Sequence, residues 1–119
     1  MERVFDIKVR CYQFSKSVID LLGKTKFNRL YFSIMDQLLR SATSIGANVV
    51  EGKAGSSRKD FKNYYTIALK SSNETKYWLC LMRDTNVIDI NKEIIKELLD
   101  EADQISKILA SIIINLNRV

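Results

Sequence analysis

Histidine and proline are both absent from this chain, and glycine and cysteine are scarce, at four and two residues. Without histidine the usual general base at neutral pH is missing, and with it the Ser-His and Cys-His nucleophile pairs and the commonest metal ligand. Cys11 and Cys80 lie far apart and form no CxxC pair, so no zinc site can be built from them alone. A chain without proline and with few turn residues cannot be cut into many short strands, which favours long helices. No apolar run approaches a membrane span. The opening Met-Glu-Arg-Val-Phe-Asp carries acids and does not read as a secretory signal. Reduced thiols and a cytoplasmic setting are the resulting expectation, with no membrane partner and no cofactor.

What is present is a repeated 3-4 apolar stepping. It runs through Val4, Ile7, Cys11, Phe14, Val18 and Leu21. It returns in Met35, Leu38, Ala42, Ile45 and Val49, then in Phe61, Tyr65, Ala68, Ser72, Thr75, Leu79 and Met82, and last in Ile95, Leu98, Ala102, Ile105, Leu109, Ile112 and Leu116. Each run puts one stripe on a helix and suits neighbours crossing at about 20°. Polar breaks fall at 23–29, 52–57 and 84–90. Ser57 with Asp60 is a near capping box, and Asp89 or Asn91 can cap the last helix. At 119 residues and 46% hydrophobic content, one domain over 1–119 is expected. It should be an all-α, antiparallel up-down-up-down four-helix bundle with helices near 4–23, 30–52, 58–83 and 91–117.

The apolar residues exceed what one bundle core needs. Tyr64, Ile67, Trp78 and Leu81 form a second seam on the third helix and are the expected oligomer interface. Phe27, Leu30, Tyr31 and Phe32 cluster around the first break. A broad stripe touching two neighbours would also use such residues.

A polar ridge accompanies the second stripe: Arg40, Ser44, Asn48 and Glu51 recur at steps of 4, 4 and 3. Antiparallel pairing with the third helix brings Ser71 and Glu74 towards it, so an Arg40–Glu74 pair within an inter-helix network is expected. That network either fixes register or serves a partner. Glu51 ends a helix, where a carboxylate is unfavourable, so Lys53, Arg58 or a subunit contact should compensate.

Charge is uneven. Residues 1–83 hold 15 Lys and Arg against 7 Asp and Glu, whereas residues 84–119 hold 4 against 7. A basic body with an acidic last segment suits a polyanion partner or a charge-ordered assembly. Arg3, Lys8, Arg10, Lys53, Arg58, Lys59 and Lys62 are the candidate phosphate contacts. Four of them surround the Gly52–Ser57 turn, where free backbone N–H groups open a helix. The Gly-Lys-Ser/Thr ending of a P-loop is missing.

The segment from Gln37 to Glu74 resembles the 23S rRNA intervening-sequence protein family. The matching residues are Gln37, Leu38, Arg40, Ser44, Ile45, Asn48, Glu51, Gly52, Ser57, Phe61, Ile67, Ala68, Ser71 and Glu74, with Asp60 and Tyr64 as conservative substitutes. Ser41, Gly46 and Lys70 depart from the pattern, and Ala54-Gly55 stands where the family has a turn arginine. The resemblance implies a ring-like homopentamer of bacterial four-helix bundles and no known enzyme. A more distant similarity, to accessory proteins of diversity-generating retroelements, would bring a reverse transcriptase and its RNA as partners.

The expectation is therefore a non-enzymatic oligomeric adaptor for RNA or a ribonucleoprotein. The alternative is a protein-only scaffold or accessory subunit with incidental basic charge.

Overall fold

The computed structural model describes residues 6–55 and 57–117. Arg3 and Val4 and the turn residue Ser56 lie outside them. Four helices account for most of the chain: α1 (Ile7–Lys24), α2 (Phe32–Ala54), α3 (Arg58–Asp84) and α4 (Lys92–Asn117). A 3-10 turn, Arg29–Tyr31, leads into α2.

Local chemistry sets the ends. Asp6 Oδ1 accepts from Lys8 N (2.9 Å), Ser57 Oγ from Asp60 N (3.0 Å), and Asn91 Oδ1 from Glu93 N and Ile94 N (3.1 Å each). Each side chain satisfies amides that have no partner inside the helix. Asn91 rather than Asp89 is thus the cap of α4. Threonines close two C-termini: Thr25 Oγ1 donates to Leu21 O (2.7 Å) and Thr85 Oγ1 to Leu81 O (2.6 Å). At the α3–α4 corner the Lys92 ammonium donates to the carbonyls of Met82, Arg83 and Thr85. That places a cation on the negative end of α3. Ile88 and Ile90 of the connection are themselves buried.

Helix neighbours run in cyclic order α1–α2–α3–α4–α1, with α1 and α3 diagonal and α2 and α4 diagonal. Paired residues show that neighbours are antiparallel. Ser44 meets Ser71 and Ser41 meets Thr75 between α2 and α3. Ser72 meets Ser106 and Lys76 meets Asp103 between α3 and α4. Arg10 meets Glu101 between α1 and α4, and Ser15 meets the Ala42 carbonyl between α1 and α2. The expected stripes form the core: Cys11, Val18, Leu38, Ala42, Ile45, Val49, Ala68, Leu79, Ile95, Ala102, Ile105 and Leu109 are fully buried.

Two close approaches use glycine. At Gly46 a Cβ would stand 3.3 Å from Cys11 Cβ, which lets α1 lie tightly on α2. At Gly52 it would stand 2.9 Å from Tyr65 Cδ1. The Tyr65 ring packs close against Gly52 and stacks on Phe61 at 4.1 Å between centroids. Gly23, by contrast, has nothing within 4 Å of its missing Cβ.

These surroundings give opposite signs to one substitution. Gly52→Ala should destabilise by about 1–3 kcal/mol, because the tyrosine must move. Gly23→Ala should stabilise by up to about 1 kcal/mol through helix propensity. Urea unfolding of the two variants checks this, and equal shifts would refute it.

Candidate interaction surfaces

The buried polar groups come first, because they decide which side chains remain for a partner. α3 carries a belt of hydroxyls. Thr75 Oγ1 donates to Ser41 Oγ (3.0 Å) and Ser71 Oγ to Ser44 Oγ (3.0 Å), joining α3 to α2. Asn48 Nδ2 completes that side by donating to Ser44 O (2.8 Å) and Ser44 Oγ (3.0 Å). On the other side Ser72 Oγ lies 2.7 Å from Ser106 Oγ and donates to Ala102 O (3.1 Å), and Ser106 donates to Asn73 Oδ1 (3.2 Å). Among the described residues no buried side-chain nitrogen or oxygen lacks a partner. The belt is saturated from within, so it holds helices together and presents little to a ligand.

Ser44, Asn48 and Ser71 of the expected network therefore come together. Arg40 and Glu74 do not. Arg40 Nε bonds Asp36 Oδ2 on its own helix at 2.8 Å, and its side chain is 75% exposed. Glu74 accepts instead from Trp78 Nε1 at 3.1 Å. The register puts Thr75 opposite Ser41 on the inner side, which turns the preceding residue of each helix outward. Glu51 is exposed, and among the described residues no cation lies within salt-bridge range of it. Lys53 pairs with Asp6 (3.8 Å), and Arg58 Nη2 donates to Leu116 O at the end of α4 (2.7 Å).

The candidate phosphate contacts separate into different roles. Arg10 is not one of them. It is buried, its Nε bonds Glu101 Oε2 (3.1 Å), and its Nη2 bonds both Glu101 Oε1 and Gln104 Oε1. The bond to Glu101 raises the pKa of Arg10 against the opposing effect of burial. The partner stands 91 residues away in sequence, so nothing near Arg10 in the chain distinguishes it from a surface cation. Arg58 ties α3 to α4, while Lys53 reaches back to α1. Lys8, Lys59 and Lys62 are exposed, and the last two line a recess of about 300 Å³ with Asp60, Asn63 and Thr66.

Of the seam expected at the subunit interface, Ile67 is exposed while Tyr64, Trp78 and Leu81 are half-buried. A second apolar face is not marked by the sequence pattern. It lies between α1 and α2, where Tyr12 is 66% exposed, Phe32 60%, Ile19 51% and Val50 44%. Residues off an apolar stripe pack against a neighbour or against nothing, and their spacing does not say which. A cleft of about 630 Å³ between α1 and α4 is lined by Asp20, Asp89, Glu97 and Glu101 together with Lys24. Among the described residues no three His, Cys, Asp or Glu side chains come together as a metal site, and no helix is long and apolar enough to cross a membrane. Cys11 is buried, and desolvation pushes its thiol up to about 12, far from thiolate chemistry at neutral pH.

Known proteins resemble this chain both in sequence and in structure. The sequence profile of the 23S rRNA-intervening sequence protein family matches residues 3–111. A crystal structure of a protein of unknown function from the S23 ribosomal protein family of Bacteroides thetaiotaomicron VPI-5482 superposes with a TM-score of 0.79 at 36% identity. The alignment covers 90% of this chain and 97% of that one. Among curated proteins no match is found.

The Arg10–Glu101 pair should respond asymmetrically to truncation. Glu101→Ala strands a buried guanidinium and should cost about 3–5 kcal/mol. Arg10→Met leaves a carboxylate that is 32% exposed and can rehydrate, so it should cost about 1–3 kcal/mol. Equal losses in thermal unfolding would contradict this picture. A second outcome concerns alkali. Burial raises the Cys11 thiol from 9.0 to about 12 and the Tyr65 phenol from 10.0 to about 12. Both groups hold their protons more tightly folded than unfolded. Stability should therefore be steady below pH 9 and fall from there towards pH 12. A urea midpoint unchanged between pH 8 and 11 would contradict it.

Proposed function

The chain belongs to the 23S rRNA-intervening sequence protein family, and on that premise we propose that it is a non-enzymatic, oligomeric adaptor that binds RNA or a ribonucleoprotein through a basic surface in the cytoplasm. The observation that carries this reading is the pair Lys59 and Lys62 at the start of α3. Both are exposed. Among the described residues neither has a carboxylate within salt-bridge range. They sit on the first turns of a 27-residue helix, whose positive end adds to their potential. Lys8 and Lys53 extend the cationic surface at the same end of the bundle. Both family descriptions name ribosomal components, 23S rRNA in one and a ribosomal protein family in the other, which supports RNA over other polyanions.

A protein-only scaffold, or an accessory subunit such as one serving a reverse transcriptase, is the second reading. It is favoured by the apolar face between α1 and α2. The two readings differ in their response to salt, because phosphate binding releases counterions and apolar burial does not.

Arg58 is unsuited to a test, since it secures the end of α4. Replacing Lys59 and Lys62 by Ala should weaken binding of the chain to a structured rRNA fragment and leave helicity unchanged. The slope of log affinity against log salt should fall by roughly 0.7–0.9 for each phosphate that is no longer neutralised. Filter binding at two salt concentrations reads both quantities. If both stay the same in the double variant, this face does not carry RNA.

A further inference from the structure

α3 turns one strip of side chains to solvent over most of its length. Lys59, Lys62, Asn63, Lys70, Asn73 and Tyr77 are all exposed there, and at 3.6 residues per turn they share a face about 100° wide. Tyr65, Ala68, Ser72, Thr75 and Leu79, on the opposite side of the helix, are buried in the core. Lys59 and Tyr77 fall on one line parallel to the axis, about 27 Å apart.

The strip is cationic and its charge is unspent. Among the described residues no carboxylate lies within salt-bridge range of Lys59, Lys62 or Lys70. Lys76, on the flank towards α4, is different, because it pairs with Asp103 at 3.4 Å. Asp60 and Glu74 border the strip, and Glu74 accepts from Trp78 Nε1 at 3.1 Å. Asn63 and Asn73 are neutral and do not repel an anion.

Tyr77 ends the line. Its ring meets the Trp78 indole edge to face, at 5.0 Å between centroids and 79° between planes, and the bond to Glu74 fixes that indole in turn. The phenol is thus oriented by one neighbour while the residue stays 62% exposed. An exposed aromatic alone is ordinary on a protein surface. An oriented one at the end of a row of unpaired lysines has the parts of a single-strand site, a phosphate track and a stacking platform.

We propose that this strip binds unpaired RNA, with the backbone along Lys59, Lys62 and Lys70 and one base stacked on Tyr77. This rests on the RNA-binding part of the function proposed above, and adds the class of RNA and a contact that is not electrostatic. The bases of an A-form duplex are stacked inside it, so a duplex laid on a convex helix would offer Tyr77 only phosphates and sugars. Loops and ends of a structured RNA supply bases that can be splayed onto a ring. Charge alone would favour the opposite choice, since a duplex carries the denser phosphate array.

The test measures binding of the full chain by fluorescence anisotropy, with helicity checked by circular dichroism. The probes are a labelled oligoadenylate long enough to span the strip, an RNA duplex of the same length, and an oligoglutamate of matching charge. The wild type should prefer the oligoadenylate to both others. Tyr77→Ala should weaken that binding about 5- to 150-fold and leave the salt slope unchanged, because stacking releases no counterions. Tyr77→Phe should bind as the wild type does. Lys70→Ala should lower the slope by about 0.7. Tyr77→Leu, which keeps an apolar cover on Trp78, replaces Tyr77→Ala if that variant loses helicity. Unchanged affinity in the Ala or Leu variant would overturn the inference, as would a preference for the duplex or equal binding of oligoglutamate. If Lys59 and Lys62 are still needed for RNA in that event, the proposed function stands without it. A wild type that binds neither RNA would overturn both.

Discussion

Apolar stripes with a seven-residue repeat pack nearly as well after slipping by one repeat, and what forbids the slip here is the row of hydroxyls on α3. Ser71 and Thr75 must meet Ser44 and Ser41 on one side, while Ser72 must meet Ser106 on the other. Ser72 and Thr75 are fully buried. A slip of one repeat would strand these groups away from water, at about 1–3 kcal/mol for each. Dispersion and burial supply the bulk of the stability, but they are indifferent to axial position. The hydroxyls convert a generic bundle into one with a single alignment of three helices, and the positions of every surface group follow from that alignment.

The first helix is held by different means. Its packing on α2 depends on small residues, with Gly46 admitting Cys11, and its hold on α4 depends on a charged pair closed by Gln104. The consequence is visible on the surface. An acidic cleft lies between α1 and α4, and the outer flank of α1 with α2 remains apolar and open. The most saturated part of the molecule is thus α2–α3–α4, and the surface with most left to satisfy is the one α1 shares with α2.

The fold was legible because burial and periodicity report the same thing. Met35, Leu38, Ala42, Ile45 and Val49 read as a stripe, and each is at most 3% exposed. The candidate site was legible only in part. Ser44, Asn48 and Ser71 could be placed together because short side chains at one level of an antiparallel pair have few alternatives. Arg40 could not, because a long flexible side chain chooses among partners on several turns, and Asp36 four residues away was as good as Glu74. Arg10 failed for a related reason: nothing local distinguishes an arginine that meets a glutamate 91 positions later from one that meets water. The open α1–α2 face was hidden because exposure depends on where a neighbour is missing, which no repeat encodes.

The clamp at the α3–α4 corner bears on the order of events in folding. Lys92 closes a loop of ten residues back to Met82, and closing so short a segment removes little chain entropy. Ile88 and Ile90 bury themselves inside the same segment, so the corner holds together with little help from elsewhere. The α1–α4 pair, whose arginine and glutamate are 91 residues apart, can form only after most of the chain is in place. Nucleation at α3 and α4, with α2 zipping on along the hydroxyls and α1 docking last, is the sequence of steps this topology favours. The helix that arrives last is also the one that bears the open apolar face, so on the ribosome that face is synthesised first and finished last.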